Sequence, residues 1–252
     1  MKSKALEGHV ALVTGSSTGL GKGVLFALAK AGAKVVMNYA HNQARAEAAF
    51  EELKQAGGEG VLLQASAVDA DAINAMVEQA AATLGPIDIV VPNATPDQPQ
   101  KPIEAYDWDF YQSMLDYFVK SPFLLAQATL PAMKAQRWGR IVNIGSEVYQ
   151  ASVGNFSAYV AAKGGQTGWT RSMATELAAD GITVNIVAPG WIPTERHLDD
   201  PQEEKDGYLN TTPMNRWGTP ADIGEAVCYF ASEEASFVSG QTLCVNGART
   251  PW

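Results

Sequence analysis

The chain has 252 residues, 46% of them hydrophobic and 18% charged, with a formal net charge of -9. That length and balance fit one large globular core and exclude a disordered chain. The acidity argues against nucleic acid or an anionic membrane surface as a partner.

The N-terminal segment lacks the apolar run of a signal peptide, and no stretch is apolar for the roughly 20 residues a membrane helix needs. Two cysteines, Cys228 and Cys244, and three scattered histidines have neither disulfide nor metal-ligand spacing. The expectation is a cytoplasmic protein with no metal site and buried thiols.

Short β-rich runs alternate with amphipathic stretches along the whole chain. Strands are predicted at 9–14, 33–37, 60–63, 87–91, 140–144, 183–187 and 243–245. Helices are predicted at 21–31, 43–55, 71–84, 108–133, 158–179 and 220–232. Pro122 predicts a kink or boundary in the fourth of these. A Pro-rich loop follows residue 91, and a long polar loop, suited to a lid, spans about 190–213. Apolar runs buried on both faces and repeated β–helix–β order imply a single doubly wound α/β domain over 1–252, with a mostly parallel sheet of about seven strands.

Between the first strand and first helix lies Thr14-Gly15-Ser16-Ser17-Thr18-Gly19-Leu20-Gly21. Glycines there allow a tight turn and close approach of a phosphate to helix N-terminal amides. Farther on, Tyr159 and Lys163 stand four apart, on one helix face. A phenol titrates near pH ~10, and a neighbouring ammonium lowers that value, so the pair makes a plausible acid/base. Ser146, just past the fifth strand, falls at the sheet edge where ligands bind in such folds. Its hydroxyl could hold a reacting oxygen near Tyr159.

The glycine loop, Ser146 and Tyr159-x-x-x-Lys163 together resemble the classical short-chain dehydrogenases/reductases, over about residues 6–247. The resemblance implies a Rossmann-type fold and hydride transfer between a nicotinamide and a carbonyl or alcohol. It casts Ser146 as the group that orients substrate and Tyr159 as the proton donor or acceptor. Lys163 would hold the nicotinamide ribose and lower the tyrosine pKa. Gly15, Ser17, Thr18, Gly19, Leu20 and Gly21 would cradle the cofactor. Asn93 and Ala94 match the family's Asn-Ala-Gly, with Thr95 replacing the glycine. Pro189-Gly190 matches the segment bordering the nicotinamide, where the Ile192 backbone and Thr194 hydroxyl would meet the carboxamide. A homotetramer is implied in the same way, with the last strand and tail at an interface.

Three positions depart from the family pattern. Phe118 stands where the family usually has an asparagine that helps hold a water leading protons to the lysine. Ser66, followed by Ala67, replaces an aspartate near the adenine, and Thr95 reshapes the pocket mouth. The second strand ends in Asn38-Tyr39-Ala40-His41-Asn42, without the acid that repels NADP's extra phosphate. NADP is therefore preferred over NAD, although the glycine loop lacks an arginine. Asn38, His41 and Asn42 are the candidate phosphate ligands, with Tyr39 beside them. Glu147, Val148, Tyr149, Phe156, Trp191 and His197 flank the proposed pocket, Glu147 as a ligand for a substrate hydroxyl or amine. The leading substrate is a small polar or cyclic carbonyl or alcohol, such as a sugar or polyol. A 3-oxoacyl thioester reductase and a catalytically weak nicotinamide sensor stay open as alternatives.

Overall fold

A computed structural model describes residues 5–251. Seven strands form one sheet in the order β3-β2-β1-β4-β5-β6-β7, and every pairing is parallel. They are β1 (Val10–Val13), β2 (Lys34–Tyr39), β3 (Gly60–Gln64), β4 (Ile89–Val91), β5 (Gly139–Ile144), β6 (Ile182–Pro189) and β7 (Thr242–Val245). The strand order reverses at β1, which opens a crevice at the carboxyl ends of β1 and β4. β1, β4, β5 and β6 are buried along their whole length. Their unbroken apolar character follows from helices covering both faces.

The helices are α1 (Gly19–Lys30), α2 (Gln43–Gln55), α3 (Ala70–Leu84), α4 (Trp108–Leu115), α5 (Ser121–Gln136), α6 (Glu147–Ala151), α7 (Ser157–Leu177), α8 (Gln202–Asn210) and α9 (Pro220–Ala231). One face of the sheet packs Val24, Leu25, Leu28, Ile223, Val227 and Phe230 of α1 and α9. The other packs Ile73 and Met76 of α3, Leu125 and Met133 of α5, and Ala174 and Leu177 of α7. Among the described residues, no helix is long and apolar enough to cross a membrane.

The expected helix over 108–133 is divided. A π-helical turn, Asp116–Lys120, separates α4 from α5. Pro122 is the second residue of α5, directly after the π-helical turn. The break thus precedes the proline, and it turns Phe118 into a small cluster with Met114, Ala158 and Ala162. The long loop after β6 also contains structure: a 3₁₀ turn, Glu195–His197, and then α8.

At the opposite end of the sheet, His9 stacks on Trp138 with centroids 3.9 Å apart. Its Nδ1 lies 2.9 Å from Asp88. The guanidinium of Arg140, 1% exposed, covers the Trp138 ring at 4.2 Å.

Candidate active site

Where β1 ends, the chain turns into α1. Gly15 and Gly19 take φ of 61° and 55°, the left-handed region in which a side chain is strained. A Cβ on Gly21 would fall 2.3 Å from Asn93 Nδ2, so α1 approaches the end of β4 only as glycine. The turn is braced from that strand. Thr14 Oγ1 accepts the amides of Asn93 at 2.9 Å and Ala94 at 3.0 Å, and Asn93 Nδ2 donates to the Thr14 carbonyl at 2.8 Å. Thr18, the N-cap of α1, makes no side-chain capping bond, and no acid occupies the first turn. The first amides and the positive end of the helix dipole are left for an anion. This backbone-walled cradle fits the pyrophosphate of a dinucleotide.

Asn38 is not placed to hold a phosphate. It is 2% exposed; its Oδ1 accepts the Gly15 amide at 3.1 Å and its Nδ2 donates to Ala65 O at 3.0 Å. Short and buried at the end of β2, it pins the glycine loop to β3. Tyr39 is buried, whereas His41 and Asn42 are exposed. Asn42 Oδ1 caps α2 through the Arg45 amide at 3.0 Å. Arg45 itself is exposed in the first turn of α2. Sequence reasoning passed it over, although a cation a few residues past the second strand was a usable signal. Ser66 closes the turn after β3, accepting the Val68 amide at 3.4 Å, beside buried Ala67. Ser17 is likewise buried in the glycine loop.

Ser146 caps α6, accepting the Val148 amide at 3.3 Å, and shares a side-chain hydrogen bond with Tyr159. Tyr159 and Lys163 lie one turn apart on α7. Lys163 is 3% exposed, and its Nζ donates to Ile144 O at 2.6 Å and Gln166 Oε1 at 3.2 Å. Phe118 and Phe156 flank the Tyr159 ring at centroid distances of 5.2 and 5.0 Å. Burial pushes the Tyr159 pKa up to about 12, against the opposing effects of Ser146 and Arg196. Burial also pulls Lys163 well below its ordinary value. In the free protein, desolvation dominates both groups and raises the phenol while lowering the ammonium. At neutral pH Tyr159 holds its proton, ready to be given.

Glu147 is not a free substrate ligand. It is 3% exposed, and its carboxylate accepts Tyr208 Oη at 2.7 Å, Arg249 Nη1 at 3.0 Å and Thr250 Oγ1 at 3.4 Å. The residue beside Ser146 thus ties α8 and the C-terminal segment to α6. Tyr208 Oη accepts the Trp191 amide at 2.7 Å, and its ring stacks on Trp217 at 5.4 Å. Trp191 meets both rings edge-on, at 5.5 and 5.6 Å. Trp191 therefore belongs to the lid's own aromatic cluster, while Phe156 packs on Tyr159. Tyr149 packs toward Gly164 of α7. A cavity of about 540 Å³ opens between this lid and β7; Ser146, Tyr159 and Lys163 lie outside its lining.

Pro189 ends β6, Gly190 packs under Tyr208, and Ile192 is buried. The Thr194 amide and hydroxyl both lie 3.1 Å from His197 Nδ1, and Thr194 faces Gly19 across the cleft. Arg196 reaches Asp97 of the loop after β4, 3.6 Å away, and so spans the cleft mouth. Tyr208, Arg196, Arg249 and Gln166 escaped the sequence reading because their partners are distant in the chain or their surroundings polar. Among the described residues, no cluster of three or more potential metal ligands occurs.

A glycine cradle at the strand-order reversal, with a serine, tyrosine and lysine at the same sheet edge, defines a dinucleotide-dependent oxidoreductase. Comparison with known proteins supplies the family. A family model described as enoyl-(acyl carrier protein) reductase matches residues 15–249, and the chain belongs to the short-chain dehydrogenase/reductase family. It is thus an NAD(P)-dependent oxidoreductase acting on CH–OH groups. It is 39% identical over 241 residues to the 3-oxoacyl-[acyl-carrier-protein] reductase FabG of Staphylococcus aureus, covering 94% of this chain and 96% of that protein. A putative gluconate dehydrogenase from Agrobacterium tumefaciens superposes with a TM-score of 0.93 at 29% identity, over 100% of both chains. A gluconate 5-dehydrogenase from Burkholderia cenocepacia, in complex with NADP and tartrate, gives 0.89 at 32% identity, over 98% of this chain and 97% of that one.

Proposed function

We propose that this chain is an NADP-dependent carbonyl reductase for a small polar or cyclic substrate, of the sugar or polyol kind. The observation that carries the reading is Tyr159, bonded to Ser146 and one helical turn from the buried Lys163. Ser146 orients the carbonyl oxygen. Tyr159 Oη delivers a proton to it, and Lys163 holds the nicotinamide ribose. The bound nicotinamide supplies the hydride. The first amides of α1, from Gly19 to Gly21, with Asn93 and Ala94 behind them, would hold the pyrophosphate, and the Ile192 backbone and Thr194 would meet the carboxamide.

The preference for NADP rests on the acid-free end of β2, on exposed Arg45 beyond it, and on the NADP in the Burkholderia neighbour. The substrate class draws support from the two neighbours named as gluconate dehydrogenases. Cations around the mouth are already engaged: Arg196 with Asp97, Arg249 with Glu147, and Arg216 with Asp222. That leaves a poor platform for an acidic carrier protein. The second reading, reduction of a 3-oxoacyl thioester, is favoured by the resemblance to FabG. A mere sensor of nicotinamide would have no use for the acid/base pair. Open strand β7, with Leu243 38% exposed and Phe237 fully exposed nearby, supports assembly into a homotetramer.

The test is a fluorescence titration with NADPH and NADH, followed by turnover of a carbonyl panel that includes keto-sugars and a 3-oxoacyl thioester. NADPH binds more tightly and a keto-sugar turns over fastest. Tyr159→Phe keeps the cofactor affinity and loses about 10²-fold or more in kcat. Equal, poor rates for both proteins would defeat the catalytic assignment.

A further inference from the structure

We infer that Phe118 is a positioning residue that seats the Lys163 ammonium against its ring face and closes the protein side of the Tyr159–Lys163 pair to water. The inference rests on the reading of that pair as the acid/base of the reaction. The π-helical turn at Asp116–Lys120 carries Phe118 inward, to 4% exposure. Lys163 Nζ lies 3.8 Å from the Phe118 centroid. An ammonium has three protons. In the cofactor-free protein two point to Ile144 O and Gln166 Oε1 and the ring face takes the third direction, so a bound ribose would displace one of these partners. Such a contact attracts a cation, most strongly where water is excluded. The same ring meets Tyr159 edge-on at 5.2 Å, so one side chain sets the spacing of both groups.

The consequence concerns proton supply. When Tyr159 gives its Oη proton to the substrate oxygen, the phenolate must be reprotonated. An amide at position 118 could accept a hydrogen bond from a water and pass protons toward Lys163. A phenyl ring offers no such acceptor, and a carbonyl and Gln166 occupy the remaining directions. The replacement proton therefore enters from solvent on the cleft side, between the lid and the loop after β4.

The direct test is the lysine side-chain NMR spectrum of the cofactor-free protein, compared with Phe118→Leu, Phe118→Tyr and, for assignment, Lys163→Arg. The Lys163 ε-methylene resonance is expected far upfield in the wild type and in Phe118→Tyr, and to move most of the way back in Phe118→Leu, where only the more distant Tyr159 ring remains. In turnover, Phe118→Leu lowers kcat about tenfold, with KM for the carbonyl little changed. The alkaline limb of its pH profile moves to lower pH, because the charged lysine has lost a stabilising contact; Phe118→Tyr restores both. An ordinary lysine resonance in the wild type overturns the proposal. So does a Phe118→Leu enzyme with an unchanged pH profile. If Tyr159→Phe retains full activity, the acid/base reading fails instead, while the NMR comparison still judges the seating of Lys163.

Discussion

Asn38 and Arg45 stand seven residues apart at one corner of the cofactor cleft, but they answer to different physics. Asn38 is buried and fully engaged with Gly15 and Ala65. Replacing it with alanine strands a buried amide and a buried carbonyl, costing about 1–3 kcal/mol. The expected outcome is a lower unfolding midpoint and weakened binding of NADPH and NADH alike. Arg45 is exposed on α2, so Arg45→Ala leaves the midpoint unchanged and weakens NADPH alone. Calorimetry with both nucleotides on both variants checks the pair; selective loss of NADPH in Asn38→Ala would reverse the assignment. The sequence shows an asparagine at the end of a strand, and that residue type suits a phosphate ligand as well as a strut. Which one it is depends on the side chain's direction, set by β3 some 25 residues onward. Glu147 repeats the lesson, since its partners Tyr208 and Arg249 lie 61 and 102 residues away.

Among the elements, the strands and most helices were readable because their burial imposes a period. α6 has five residues, too few for a period to show. α8 is polar apart from Tyr208 and Leu209, and its place is secured by Tyr208 rather than by an apolar stripe. The π-helical turn leaves no mark in composition. The lid's 3₁₀ turn depends on His197, whose Nδ1 accepts the Thr194 amide. Burial and nearby Arg196 hold its pKa below the ordinary 6.5. With the folded value depressed, the unfolded state binds the proton first, so the turn has its full stability above about pH 6.5 and loses it as pH falls further. Protonation also removes the acceptor. The Thr194 amide should therefore lose hydrogen-exchange protection from pH 7 to pH 5, with a change in Trp191 emission from the ring 5.9 Å away. Protection that stays constant over that range, after correction for intrinsic exchange, would sink the idea.

At the scale of the molecule, the sequence order of β–helix units predicted a doubly wound sheet, and all seven strands are parallel. The outer edge, which the family resemblance assigned to a subunit interface, shows why in its side chains. Among the described residues β7 has no neighbour on its far side, Leu243 is partly exposed, and Phe237 is fully exposed. An uncovered strand edge with a free aromatic invites pairing with another chain. Phe237→Glu should therefore shift the protein toward smaller species in sedimentation velocity, while the isolated fold keeps its circular dichroism. A variant sedimenting like the wild type would place the assembly surface elsewhere.

The tryptophans add an optical consequence. Trp138 is clamped between His9 and Arg140 at the far end of the sheet, whereas Trp191 and Trp217 form part of the lid. A single polypeptide thus holds an internal reference and an indicator. Light from the indoles of that loop reports the packing of Trp191, Tyr208 and Trp217, and light from the clamped indole reports the integrity of the sheet end. With Trp108, Trp169 and Trp252 replaced by phenylalanine, removing either Trp138 or the pair Trp191 and Trp217 would isolate one signal from the other.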